Sequence, residues 1–77
     1  MISFEDILNI HKCIKSIENT TINENITSTV VVDNIEIEYC VDNEYIIKIL
    51  SVKICDKNYP LFVSLLNEYF KDLNENI

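Results

Sequence analysis

Not one of the 77 residues is glycine. Any backbone position that needs a positive φ must therefore be filled by a residue with a Cβ, and Asn and Asp bear that conformation best. Turns are expected where those residues stand between apolar runs: at Asn19, at Asp33-Asn34 and at Asp42-Asn43-Glu44. The same absence excludes whole classes of function. Phosphate-binding loops, dinucleotide fingerprints and nucleophile elbows all need glycine where the backbone turns sharply or approaches a ligand.

Between those breakers the hydrophobic period changes. Residues 3–18 read as a helix whose apolar stripe is Phe4, Ile7, Leu8, Ile10, Ile14 and Ile17, with Glu5, Asn9, Lys12, Ser16 and Glu18 on the opposite side. Ser3 is the expected N-cap, Glu5 and Asp6 suit the positive end of the dipole, and Asn19 is expected to end the helix in a left-handed conformation. Residues 19–25 read as a linker. From residue 26 the period is 2. Ile35-Glu36-Ile37-Glu38-Tyr39-Cys40-Val41 alternates strictly, and the run before it is rich in β-branched residues. A two-residue turn at Asp33-Asn34 pairs Val32 with Ile35, Val30 with Ile37, Ser28 with Tyr39 and Ile26 with Val41 on one face. Val31/Glu36, Thr29/Glu38 and Thr27/Cys40 fall on the other, and a slip by one residue would scramble that segregation.

A three-residue turn at residues 42–44 leads into a third strand over residues 45–55. It places Lys48 opposite Glu38 and Ile49 opposite Ile37. Lys48 and Lys53 have opposite parity, so this strand either carries a bulge near Leu50-Ser51 or is apolar on both sides. Residues 56–60 break the pattern, with Asn58 or Tyr59 as cap and Pro60 in the first turn of a second helix. Its stripe is Phe62, Leu65, Leu66, Tyr69, Leu73 and Ile77. Leu61, Val63 and Phe70 lie outside that stripe, either deep between sheet and first helix or as a partner patch. The expectation is one α+β domain over residues 1–77, ordered α-β-β-β-α: a three-stranded antiparallel meander with two helices packed on one face. A domain this small buries only about 60% of its unfolded surface, so it builds one core.

Charge is distributed unevenly. The chain has 6 Lys, no Arg and 13 acids, for a net charge of −7. Residues 1–19 contribute −1 and residues 45–77 contribute 0, whereas residues 20–44 carry six acids (Glu24, Asp33, Glu36, Glu38, Asp42, Glu44) and no Lys. Glu36 and Glu38 are about 6.8 Å apart on one strand face at ordinary strand rise. A row of carboxylates at that step resembles the phosphates of a nucleic-acid strand. It reads either as a solvated face that discourages edge pairing or as a patch that docks on a basic protein. The candidate partner-binding residues are Asp33, Glu36, Glu38, Asp42, Glu44 and the adjacent Tyr45. Direct nucleic-acid binding is not expected, because it needs surplus cations on one face.

Chemistry is not expected. His11 and Cys13 are two residues apart on a helix and point in different directions. Cys13, Cys40 and Cys55 are widely spaced, odd in number and without a C-x-x-C, so reduced thiols in a cytoplasmic protein are expected rather than disulfides, a metal site or a cofactor. The acidic start does not read as a signal peptide, and no long apolar run reads as a membrane span. Ala, Gln and Arg are absent while Ile, Asn, Lys and Glu abound, a coding bias of AT-rich genomes and of phages or mobile elements living in them.

The α-β-β-β-α layout resembles the double-stranded-RNA-binding domain over the whole chain. That family grips phosphates with lysines at the start of its second helix, where this chain reads Asn58-Tyr59-Pro60-Leu61-Phe62-Val63. In size, acidity, coding bias and layout the chain is similar to the small acidic anti-CRISPR proteins of phages. That resemblance implies a non-catalytic inhibitor or adaptor whose acidic hairpin masks the basic nucleic-acid-binding surface of a host protein. Two other readings are an immunity protein or antitoxin against a basic nuclease toxin, and a homodimeric structural or regulatory domain pairing through residues 45–55 or the second helix.

Overall fold

The structure is a computed structural model, and it describes residues 1–20 and 25–75. Helix α1 spans Phe4–Glu18, strands β1 to β4 span Ser28–Val32, Ile35–Val41, Ile47–Ile54 and Lys57–Asn58, and helix α2 spans Pro60–Glu75. The strands form one antiparallel sheet in the order β1-β2-β3-β4. The fold class is therefore α+β as the sequence implies, but the sheet has four strands where three were expected.

The extra strand follows from a turn the sequence hides. Cys55 and Asp56 both take positive φ, 51° and 64°, which is the requirement of a type I′ two-residue hairpin turn. It folds Lys57 back onto Ile54 and Asn58 onto Lys53. Without glycine, left-handed backbone falls on Asn25, Asp33, Tyr45, Cys55 and Asp56. Three of these are Asn or Asp, which bear it cheaply; Tyr45 and Cys55 are the less expected hosts.

The first hairpin keeps the expected register from Ser28↔Tyr39 to Val32↔Ile35. Its ladder starts at Ser28, so the Ile26/Val41 and Thr27/Cys40 pairs do not form; Asn25 instead donates its N–H to the Val41 carbonyl at 2.8 Å. The second turn is longer than expected. Val41 pairs with Ile47, which leaves five residues, 42–46, in the loop. The register then shifts between Glu38 and Tyr39, because β3 carries a bulge at Leu50: Tyr39 faces Ile49 while Glu38 faces Ser51. The expected Lys48/Glu38 pair is thus replaced by Lys48 opposite Cys40 and Lys53 opposite Glu36. The bulge also resolves the parity conflict, since it brings both lysines to the outer face.

Both helices cover the same face of the sheet. Ile10, Cys13 and Ile17 of α1 and Leu66 and Phe70 of α2 join Ile35, Ile37, Tyr39, Ile49, Val52 and Ile54 in one core cluster. Ile35 and Ile37 are 0% exposed, and each such side chain contributes about 1.5–3 kcal/mol by leaving water. The helices sit on different azimuths from those their apolar stripes suggest. In α1 the buried side is Asp6, Asn9, Ile10, Cys13 and Ile17, so Phe4, Ile7 and Leu8 face outward and Asn9, expected outside, is inside. In α2 Phe70 is core while Leu61, Leu65, Tyr69 and Leu73 are exposed. Ile77 lies outside the described residues. Each helix carries more apolar side chains than the sheet can cover, and the azimuth is set by which of them fit between the strands' inward residues.

Local polar groups explain those azimuths in part. Ser3 caps α1 in a reciprocal capping box, its hydroxyl accepting from the Asp6 N–H at 3.1 Å while Asp6 Oδ2 accepts from the Ser3 N–H at 3.0 Å. Asp6 Oδ1 accepts from Asn34 Nδ2 at 2.8 Å, which ties the start of α1 to the first hairpin turn. These bonds, the Ser3 backbone first, hold the Asp6 carboxyl below its usual range. Asn19 ends the helix at φ −96° rather than in the left-handed region, because its N–H still reaches the Lys15 carbonyl at 3.1 Å. Asn67 of α2 serves the far edge of the sheet: its Oδ1 accepts from the Ile49 N–H at 2.8 Å and its Nδ2 donates to the Ile49 carbonyl at 3.0 Å.

Candidate functional site

The outer face of the sheet is the surface that the helices leave uncovered. Strict alternation in β2 buries Ile35, Ile37, Tyr39 and Val41 and turns Glu36, Glu38 and Cys40 outward, each half-buried among its strand neighbours. Thr29 and Val31 of β1 flank the glutamates on one side, opposite Glu38 and Glu36 respectively. Ser51 and Lys53 of β3 flank them on the other. Lys53 Nζ stands 3.8 Å from Glu36 Oε2, with both side chains open to solvent. Among the described residues, no cation lies within ion-pairing distance of Glu38. Val31, 60% exposed opposite Glu36, adds apolar surface to this side, while Leu50 of the bulge, 47% exposed, lines a cleft beside Pro60, Val63 and Ser64 at the start of α2.

The remaining acids of the expected patch separate into two ends, roughly 30 Å apart along the strand direction. Asp33 takes the positive φ of the first turn, 51°, and is exposed. Beside it is a shallow cleft of about 300 Å³ lined by Val31, Asp33, Glu36, Lys53, Cys55 and Asp56. Asp56 was missed in the sequence because its segment is neutral. The Cys55-Asp56 turn that brings it beside Asp33 is visible only as a two-residue gap with no glycine to mark it.

At the other end Asp42 holds the second loop. Its Oδ1 accepts from the Glu44 N–H at 2.8 Å and the Ile46 N–H at 3.0 Å. Those two backbone donors, Ile46 first, hold its carboxyl below the usual range. Asp42 thus commits its Oδ1 to the loop backbone, and it also lines the cleft at this end. Glu44 is exposed, and Tyr45 stands out from the loop at φ 62° and 70% exposure. A larger cleft of about 650 Å³ opens between this loop and the end of α2; Asp42, Glu44, Lys48, Lys71 and Glu75 put both charge signs on its walls. Glu24 lies outside the described residues.

Cys13 is fully buried, and burial pushes its thiol up to about 11, so it stays protonated. His11 is exposed on the other side of α1. Cys55 accepts a long contact from Asn34 Nδ2 at 3.4 Å, and all three cysteines are free thiols. Among the described residues no three His, Cys, Asp or Glu side chains converge to hold a metal ion, and no helix is long and apolar enough to cross a membrane. In comparisons with known proteins, no family, no curated protein and no solved structure matches the chain.

Proposed function

We propose that this chain is a non-catalytic inhibitor or adaptor that binds the basic, nucleic-acid-handling surface of another protein through the open face of its sheet. One observation carries the reading: both helices occupy one side, leaving Glu36 and Glu38 in line on the other, with Glu38 unpaired among the described residues. Asp33 and Asp56 extend the anionic surface beyond the first turn. The Lys53–Glu36 pair is no obstacle. An exposed pair of this kind is worth about 0–1 kcal/mol and is screened by salt, so a partner's lysine or arginine exchanges for Lys53 at little cost. Val31 supplies apolar contact that charge alone lacks. The acidity and AT-rich coding of the chain suit a phage or mobile-element product acting in the cytoplasm of its host.

Competition tests the reading. The immobilised protein is loaded with nuclease-treated host lysate and then challenged with short DNA or RNA. A partner held through its nucleic-acid site is released by the competing strand. Partners that stay bound under saturating DNA and RNA would contradict the proposal.

A further inference from the structure

We infer that the helical layer is a self-association surface, on which two copies of this chain pack with their acidic sheet faces turned outward. This rests on the helices alone and goes beyond the reading of the sheet face. Phe4, Ile7 and Leu8 occupy the first two turns of α1 and are 82%, 47% and 42% exposed. Leu61 and Leu65 are one turn apart on α2 and Leu73 follows eight residues later, at 70%, 53% and 40%. At about 200 Å² for a large apolar residue, these six present on the order of 650 Å². Summed over the two helices, this approaches the roughly 800 Å² per partner of a stable complex.

The direction of the helices makes this surface self-complementary. The Asp6–Asn34 bond places the start of α1 at the Asp33-Asn34 turn. The Cys55 N–H bonds the Asn34 carbonyl at 3.0 Å, so the Cys55-Asp56 turn, and the start of α2 soon after it, lie at the same end. The two helices therefore run the same way. Their levels are tied where the Tyr69 hydroxyl donates to Glu18 Oε2 at 3.3 Å. A two-fold axis parallel to the helices sets α1 of one copy over α2 of the other. Leu8 then comes within about one turn of the second copy's Leu61, and Lys15 within about one turn of its Glu68. Beyond their apolar turns α1 exposes Lys12 and Lys15, the latter 3.5 Å from its own Glu18, and α2 exposes Glu68 and Glu75 beside Lys71, so the two-fold arrangement sets the α1 lysines near α2 glutamates in both halves. A chain with a net charge of −7 can meet its own copy here without bringing the sheet carboxylates together.

Sedimentation equilibrium over low to high micromolar concentration, with far-UV circular dichroism as the check on folding, tests this. The wild type is expected at twice 9.0 kDa, with little change between low and high salt. Leu61→Glu/Leu65→Glu is expected to raise the dimer dissociation constant about 100-fold or more while staying folded, because both residues are exposed. Val31→Glu, on the opposite face beside Glu36, is expected to leave the dimer intact. Should the double variant unfold, Phe4→Glu at the most exposed of these positions gives the same readout. A wild type that stays monomeric throughout, a dimer that survives the folded helix variants, or one lost with Val31→Glu would each overturn the inference.

Discussion

Asp42 shows how an acidic residue in a charged segment can be structural. Its carboxylate replaces two backbone partners inside the loop over residues 42–46, and with no glycine available the chain places the positive φ on Tyr45. Because its folded-state pKa lies below the ordinary 3.8, its contribution to stability is complete above that value and is lost as pH falls through the lower folded one. Asp6 is shifted in the same direction by its own hydrogen bonds. Asp42→Ala is therefore expected to lower the melting temperature at neutral pH and to leave a smaller drop on acidification below pH about 4 than the wild type shows. Thermal melts of both proteins at stepped pH check this; parallel pH profiles would mean that the loop bonds contribute nothing. None of this is visible in composition. The sequence shows Asp42 as one carboxylate among six, and only the backbone around it distinguishes it from Glu38.

At the scale of elements, the two edges of the sheet are treated differently. The outer edge of β3 is covered by the short β4, bent by the bulge at Leu50 and bonded at Ile49 by the amide of Asn67. Asn67→Ala removes both of those bonds and leaves the Ile49 backbone without a partner. It is expected to cost about 1–3 kcal/mol in urea unfolding, with faster amide exchange confined to the middle of β3. At the start of α1, Ser3→Ala removes one side of the capping box and is expected to cost about 1 kcal/mol. The same elements show what the sequence made legible. The first hairpin could be read to the residue, because a two-residue turn fixes parity and parity sorts apolar from acidic side chains. The second connection could not, since Asp42 draws five residues into its loop and the bulge then shifts the frame. Neither buried helix face was legible in detail. With 48% hydrophobic residues the chain has more apolar side chains than one small core accepts, and Asp6 and Asn9 point inward for reasons set by the sheet beneath them. Asn9 is 1% exposed, and its Nδ2 has no partner among the described residues.

For the molecule as a whole, the division of labour is between two faces. The helices hold the core and keep surplus apolar surface on their outer side, while the sheet turns its acids the other way. The acidic residues are less uniform than their clustering in sequence suggests: Glu36 shares Lys53, Asp42 serves its loop, and Asp56 joins from outside the segment. What survives is a shorter anionic surface centred on Glu36 and Glu38. The most direct measurement compares capture of host proteins by the wild type, by Glu36→Lys/Glu38→Lys and by Glu5→Lys/Glu68→Lys, each at low and high salt. The two variants change the net charge of −7 equally, but the second alters only exposed positions on the helices. We expect the wild type and the helix variant to retain the same salt-sensitive partner and the sheet variant to lose it. Retention by the sheet variant, or equal loss from both, would show that recognition does not lie on the open face of the sheet.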